Sequence, residues 1–236
     1  MAGPPPTAEE PREGPERPPE GRSARKHRAI LSAAGELFLR QGYLGTSVDE
    51  IAASAGVSKQ TVYKHFDDKQ HLFTAVVFAS IDHVGRPFYE EIHRLEDSDD
   101  LEADLRELAK RLSAVATDQR LLQVRRLVIG EAARFPELGH AYYERAVDRT
   151  TRSLEARFRG LAERGLLRLD DPYLAAQTFI WLVLSVPLNR AMFSPETETD
   201  AAGLRRIADE AVRIFLAAYG ATPASPRRGA RPPAQA

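Results

Sequence analysis

The residues best suited to chemistry lie together at 58–65, Ser-Lys-Gln-Thr-Val-Tyr-Lys-His. If this stretch is helical, Val62 and the following Phe66 are one turn apart and define a buried side. At 100° per residue, Gln60 and Lys64 then lie roughly opposite Val62, with Thr61 and Tyr63 flanking them and His65 only half exposed. The outward face therefore carries a carboxamide, a hydroxyl, a phenol and an ammonium group. Such groups hydrogen-bond base edges and phosphates, and they offer little to a hydrophobic partner.

Positioning that face requires a second short helix and a tight turn, and both are written just upstream. Ser47-x-x-Glu50 matches a capping box, with Thr46-x-x-Asp49 as a one-residue alternative. Ile51, Ala52 and Ala55 face inward, and the small alanines let two helices cross closely. Gly56 stands where a helix must end in a left-handed residue, Val57 plugs the turn, and Ser58 can cap the next helix. The spacing predicts helices near 47–54 and 58–65, a helix-turn-helix over 47–66 of a size that fits the major groove of duplex DNA.

Charge agrees locally, though not globally. The 236 residues carry a formal net charge of −1, yet residues 22–71 hold eight basic and five acidic side chains, a net of +3. That asymmetry implies a specialised face. Composition is ordinary for a soluble globular protein, 43% hydrophobic and 28% charged. With no cysteine, thiol catalysis, disulfides and Cys-ligated zinc are excluded, and a cytoplasmic location is expected. The Pro- and Glu-rich N-terminus is not a secretory signal, and the longest apolar stretch, 179–188, is too short to span a bilayer. His65 and His71 lack a carboxylate at metal spacing, and His83, His93 and His140 are scattered, so no metal or cofactor is expected. No phosphate-cradling glycine loop, nucleophile elbow or catalytic carboxylate pair stands out, so the chain does not read as an enzyme.

Residues 1–22 and 221–236 are rich in proline and poor in apolar side chains, which predicts two disordered tails. Between them the periodicity is helical throughout. A first helix holding Ile30, Ala33, Ala34, Leu37 and Phe38 should end at Gly42. Beyond the short pair, a longer helix opens near 68–69 and should kink or end at Pro87. Others are expected near 99–116, 119–134, 137–164, 172–193 and 200–219, with a kink at Pro187. The fold class is all-α, with about nine helices. The division implied is a helix-turn-helix domain at 23–83 and a helical bundle at 84–220.

The chain closely resembles the TetR family of bacterial transcription regulators. The resemblance rests on Ile30-Leu31-x-Ala-Ala-x-x-Leu-Phe38, Gly42-Tyr43, Thr46-Ser47-Val48-x-x-Ile51-Ala52, Ala55-Gly56-Val57-Ser58-Lys59, Tyr63-x-x-Phe66 and Lys69-x-x-Leu72-Phe73. It implies phosphate contacts from Thr46, Ser47, Ser58, Lys59, Tyr63, His65 and Lys69, and base reading by Gln60, Thr61 and Lys64. Gln60 stands where the family often has a small residue, which suggests an individual base preference. Arg22, Arg25 and Lys26, just before the first helix, either reach the DNA or are simply solvated.

A module of this kind works as a two-fold dimer. Residues 172–193 are too apolar for a one-sided surface helix and must be covered all round. Together with 203–219 they are the expected homodimer contact. The run from Arg125 to Leu138, followed by Tyr142-Tyr143, resembles the start of an AefR-type regulatory domain and implies a pocket for a small effector. Candidate lining residues are Leu122, Arg126, Phe135, Tyr142, Phe179, Trp181 and Val183. The expectation is a repressor released from a palindromic double-stranded DNA operator by a small hydrophobic or aromatic molecule. A DNA-processing enzyme of recombinase type and a helical protein-binding scaffold are the rivals. The first would need clustered acids or a nucleophile, and the second an apolar face at 59–64.

Overall fold

In the computed structural model, residues 21–194 and 200–221 are described; the two predicted tails lie almost wholly outside them. Ten α-helices follow in order, and among the described residues there is no strand, only an isolated bridge between Leu167 and Gly220. The first four are α1 (Arg22–Gly45), α2 (Val48–Ser54), α3 (Lys59–His65) and α4 (Lys69–Arg94). Next come α5 (Leu101–Ala116), α6 (Gln119–Glu131), α7 (Pro136–Tyr142), α8 (Arg149–Glu163), α9 (Pro172–Phe193) and α10 (Ala201–Tyr219).

Local chemistry sets most of these boundaries. Asp68, Asp100, Asp118 and Asp171 each cap a helix by accepting the backbone N–H three residues on, and Pro172 occupies the first turn of α9. Gly42 breaks α1 at φ 75°, after which one short turn runs to Gly45. Three expectations need correction. The helix opening at Arg22 takes in Arg25 and Lys26, so these bases lie on its exposed first turns, where good helix formers continue the pattern. Helix α4 does not end at Pro87. The carbonyl that loses its partner belongs to His83, which is exposed and open to water. The single helix expected at 137–164 is interrupted by a π-helical stretch, Tyr143–Asp148, between α7 and α8.

Two cores form. The first joins Ile30, Leu37 and Phe38 of α1 to Ile51, Val62 and Phe66, then to Leu72, Phe73 and Val77 of α4. The second is a bundle of α5, α8, α9 and α10 around three mutually packed rings, Phe158, Phe179 and Phe215, with centroids 5.1–5.8 Å apart. Helix α4 serves both, giving Ile81 to the first and Phe88 and Ile92 to the second. Helices α6 and α7 are the other link: Val124, Val128 and Leu138 are buried in the first core, while Leu122 belongs to the second.

Helix α9 is buried along Ala176, Phe179, Ile180, Val183 and Leu184. The same helix leaves Leu174 53%, Trp181 49%, Val186 54% and Phe193 84% exposed. A single chain therefore covers only one side of this apolar helix. No helix among the described residues is long and apolar enough to cross a membrane.

Candidate nucleic-acid interface and effector cavity

The turn between α2 and α3 is built from backbone outward. Ser47 Oγ accepts the Glu50 N–H at 3.2 Å, and the Glu50 carboxylate accepts the Ser47 N–H at 2.9 Å, completing the capping box. The Ser47 N–H, and then the Ser47 hydroxyl donating to the same carboxylate oxygen at 2.8 Å, hold the Glu50 carboxyl below its ordinary range. Gly56, at φ 64°, then reverses the chain. The Val57 N–H reaches the Ala52 carbonyl and the Gly56 N–H the Ala53 carbonyl, the pair of bonds that closes a Schellman turn. Ser58 Oγ accepts the Thr61 N–H at 3.1 Å and starts α3. Val62 and Phe66 fill the first core beneath it.

What remains outside is a polar face. Ser47, Ser58, Lys59, Gln60, Tyr63 and Lys64 are exposed, and Thr61 is half-buried with its hydroxyl shared with Ser58. Lys59 Nζ donates to Asp49 at 2.9 Å across the two helices, which raises the lysine's pKa. Thr46 departs from the family-implied pattern: only 2% exposed, its hydroxyl donates inward to the Gly42 carbonyl at 2.8 Å. His65 is half-buried, edge-on to His27, whose ring stacks on Phe66 at 4.9 Å. Burial, and then the nearby His65, push His27 below the ordinary imidazole range. Lys69 sits 4.4 Å over the Tyr43 ring, and burial followed by the Arg134 guanidinium lowers its pKa.

A second feature lies between the cores. A cavity of about 100 Å³ is walled by α4, α5, α6, α9 and the π-helical stretch. Its lining is apolar (Phe88, Leu112, Leu121, Ile180, Leu184 and Leu188) with Tyr89, Arg125, Tyr142, Thr150 and Trp181 among the polar-tipped side chains. Tyr89 and Thr150 pair through their hydroxyls at 3.3 Å.

Of the seven lining residues expected from sequence, Tyr142 and Trp181 border this cavity. The other five lie elsewhere. Leu122, Phe179 and Val183 are packed in the bundle core. Phe135 stacks edge-on against Tyr43 at 4.9 Å, in the first core. Arg126 donates to the carbonyls of Ala191 and Met192, at 3.1 and 3.2 Å, and so satisfies the end of α9. Its neighbour Arg125 is the arginine that turns to the cavity. Spacing alone does not separate the two arginines, because it is the end of α9 that takes up Arg126. Among the described residues no group of His, Asp or Glu is placed to hold a metal ion.

Family models match both regions. That for bacterial regulatory proteins of the tetR family matches residues 30–76, and that for the C-terminal domain of AefR-like transcriptional repressors matches residues 103–221. A solved TetR-family transcriptional regulator from Mesorhizobium loti is 45% identical with a TM-score of 0.80, over 85% of this chain and 100% of that one. The flavonoid-responsive regulator FrrA is 28% identical with a TM-score of 0.71, over 86% of this chain and all of its own. The transcriptional activator FasR of Mycolicibacterium smegmatis is 44% identical over 55 residues, 23% of this chain and only 25% of that relative's length.

Proposed function

The chain belongs to the TetR family of bacterial transcription regulators, and we propose that it is a cytoplasmic, homodimeric repressor that a small apolar or aromatic effector releases from palindromic operator DNA. The observation that carries the DNA reading is the face of α3. Lys59, Gln60, Tyr63 and Lys64 project from a helix whose other side is fixed in the core by Val62 and Phe66. Residues 23–83 form the DNA-binding unit and 84–220 the effector and dimer unit. Ser47, Ser58, Lys59, Tyr63, His65 and Lys69 contact phosphates, while Gln60, Thr61 and Lys64 read bases. Thr46 acts differently: by tying Gly42 to the start of α2 it positions Ser47.

The uncovered strip of α9, with Val186 and Phe193 on it, and Ile214 of α10 support the dimer contact. Coupling runs through α6, which turns Leu121 and Arg125 to the cavity and Val124 and Val128 to the DNA-binding core. Filling the cavity displaces α6 and with it the head, so that the two recognition helices of the dimer no longer match successive major grooves. FrrA, described as flavonoid-responsive, supports an aromatic effector. FasR is an activator, so a head of this kind serves regulation of either sign. Selection of binding sites from random duplexes by the full chain tests the proposal. An inverted repeat with half-sites about 10 base pairs apart is expected. No enrichment, or enrichment of a lone half-site, contradicts it.

A further inference from the structure

Among the described residues, Arg125 is the one charged residue lining the cavity. It is half-buried, and its only hydrogen bond among the described residues is from Nε to the Tyr142 hydroxyl, at 3.3 Å. The other inward-turned arginines of this region all have anionic or carbonyl acceptors: Arg126 the end of α9, Arg145 the carboxylate of Asp82, Arg157 that of Glu96. No described carboxylate lies within 4.0 Å of Arg125. A half-buried guanidinium beside apolar side chains, with most of its N–H groups unspent, is suited to a bound anion. The Tyr142 hydroxyl accepts from Arg125 and so keeps its own proton free to donate to the same anion.

We propose that the effector is a small arene carboxylate, its two oxygens on Arg125 and Tyr142 and its ring against Phe88, Leu121 and Ile180. This rests on the cavity being the effector site. The volume limits the occupant: about 100 Å³ is less than the roughly 150 Å³ that holds a benzene. Even one ring must spread the walls, and α6 is a wall, so binding and displacement of the head are the same event. Benzoate, with benzamide as its neutral isostere, tests this on the full chain. Trp181 borders the cavity and is the sole tryptophan, so its fluorescence reads occupancy, and thermal shift gives a second readout. Benzoate is expected to bind at least about tenfold more tightly than benzamide. Arg125→Met should abolish that preference, Arg125→Lys should recover part of it, and Tyr142→Phe should weaken benzoate by a smaller factor. If the two probes bind equally and Arg125→Met changes neither, the carboxylate is wrong while the cavity still stands as an effector site. If benzoate is preferred over benzamide and that preference survives Arg125→Met, another group holds the carboxylate and the assignment of Arg125 falls. If neither probe affects the wild-type chain, the cavity reading falls as well.

Discussion

Val128→Ala is the sharpest probe of how the head is held. Val128 is buried on α6 in the core built by α1 to α4, whereas Leu122 of the same helix belongs to the bundle. Removing two methyl-sized groups costs about 1.6 kcal/mol in transfer alone, and the cavity left behind brings the total to about 2–3 kcal/mol. For a chain of this size that is a fall in melting temperature of about 4–12 °C. Leu161→Ala, within the bundle and away from the cavity, should cost as much or more. The two differ in their effect on DNA. Loosening the head on α6 lowers the fraction of dimers whose recognition helices are correctly spaced, and apparent affinity falls with that fraction. The energy removed sets the ceiling, about 30-fold per head for 2 kcal/mol. Fluorescence polarisation with a selected duplex, well below both melting temperatures, should show Val128→Ala weakened at least about threefold and Leu161→Ala nearly unchanged. Equal DNA affinity in Val128→Ala, with the expected melting loss, would refute the claim that α6 positions the head.

Gly56→Ala should cost about 1–2 kcal/mol. A Cβ there meets nothing within 4 Å, so the cost is purely that of φ 64°, and calorimetry should find Gly56→Asn intermediate. The proposed dimer should appear in sedimentation equilibrium of the wild type, and Val186→Glu, on the exposed strip of α9, should sediment as a monomer with the helical circular dichroism signal intact. The lowered pKa of His27 means that the unfolded chain binds its proton more readily. Stability should therefore fall as pH drops from about 7 towards about 5. Thermal melts of His27→Gln should show a shallower fall over the same window, and an unchanged slope would exclude His27 as the cause.

The DNA-binding head was almost fully legible because its determinants are local. Ser47, Glu50, Gly56 and Ser58 act on backbone groups within a few residues, so spacing alone locates the caps and the turn. The wheel through Val62 and Phe66 likewise separated buried from exposed positions and left His65 between them, where the structure has it half-buried. The candidate effector cavity was legible only in outline. Arg125 and Arg126 differ by one position, about 100° of rotation, and which one turns to the cavity depends on where the end of α9 lies. Phe135 and Tyr142 sit in one aromatic-rich stretch, yet α7 sends the first to Tyr43 and the second to the cavity. The π-helical stretch has no sequence mark comparable to a proline or a cap. Thr46 shows the same limit within the head, its hydroxyl turned inward by a carbonyl that spacing does not reveal.

The central claim, that the face of α3 reads duplex DNA, is tested most directly by titrating a selected duplex with the wild-type chain and with the Lys59→Ala, Tyr63→Ala double variant at several salt concentrations. The account predicts steeply salt-dependent binding by the wild type. The double variant should lose at least about tenfold in affinity, with a salt slope shallower by about 0.9 for the one phosphate that Lys59 neutralises, since the Tyr63 phenol is uncharged. Binding that does not respond to salt, or a double variant as tight as the wild type with the same slope, would contradict it.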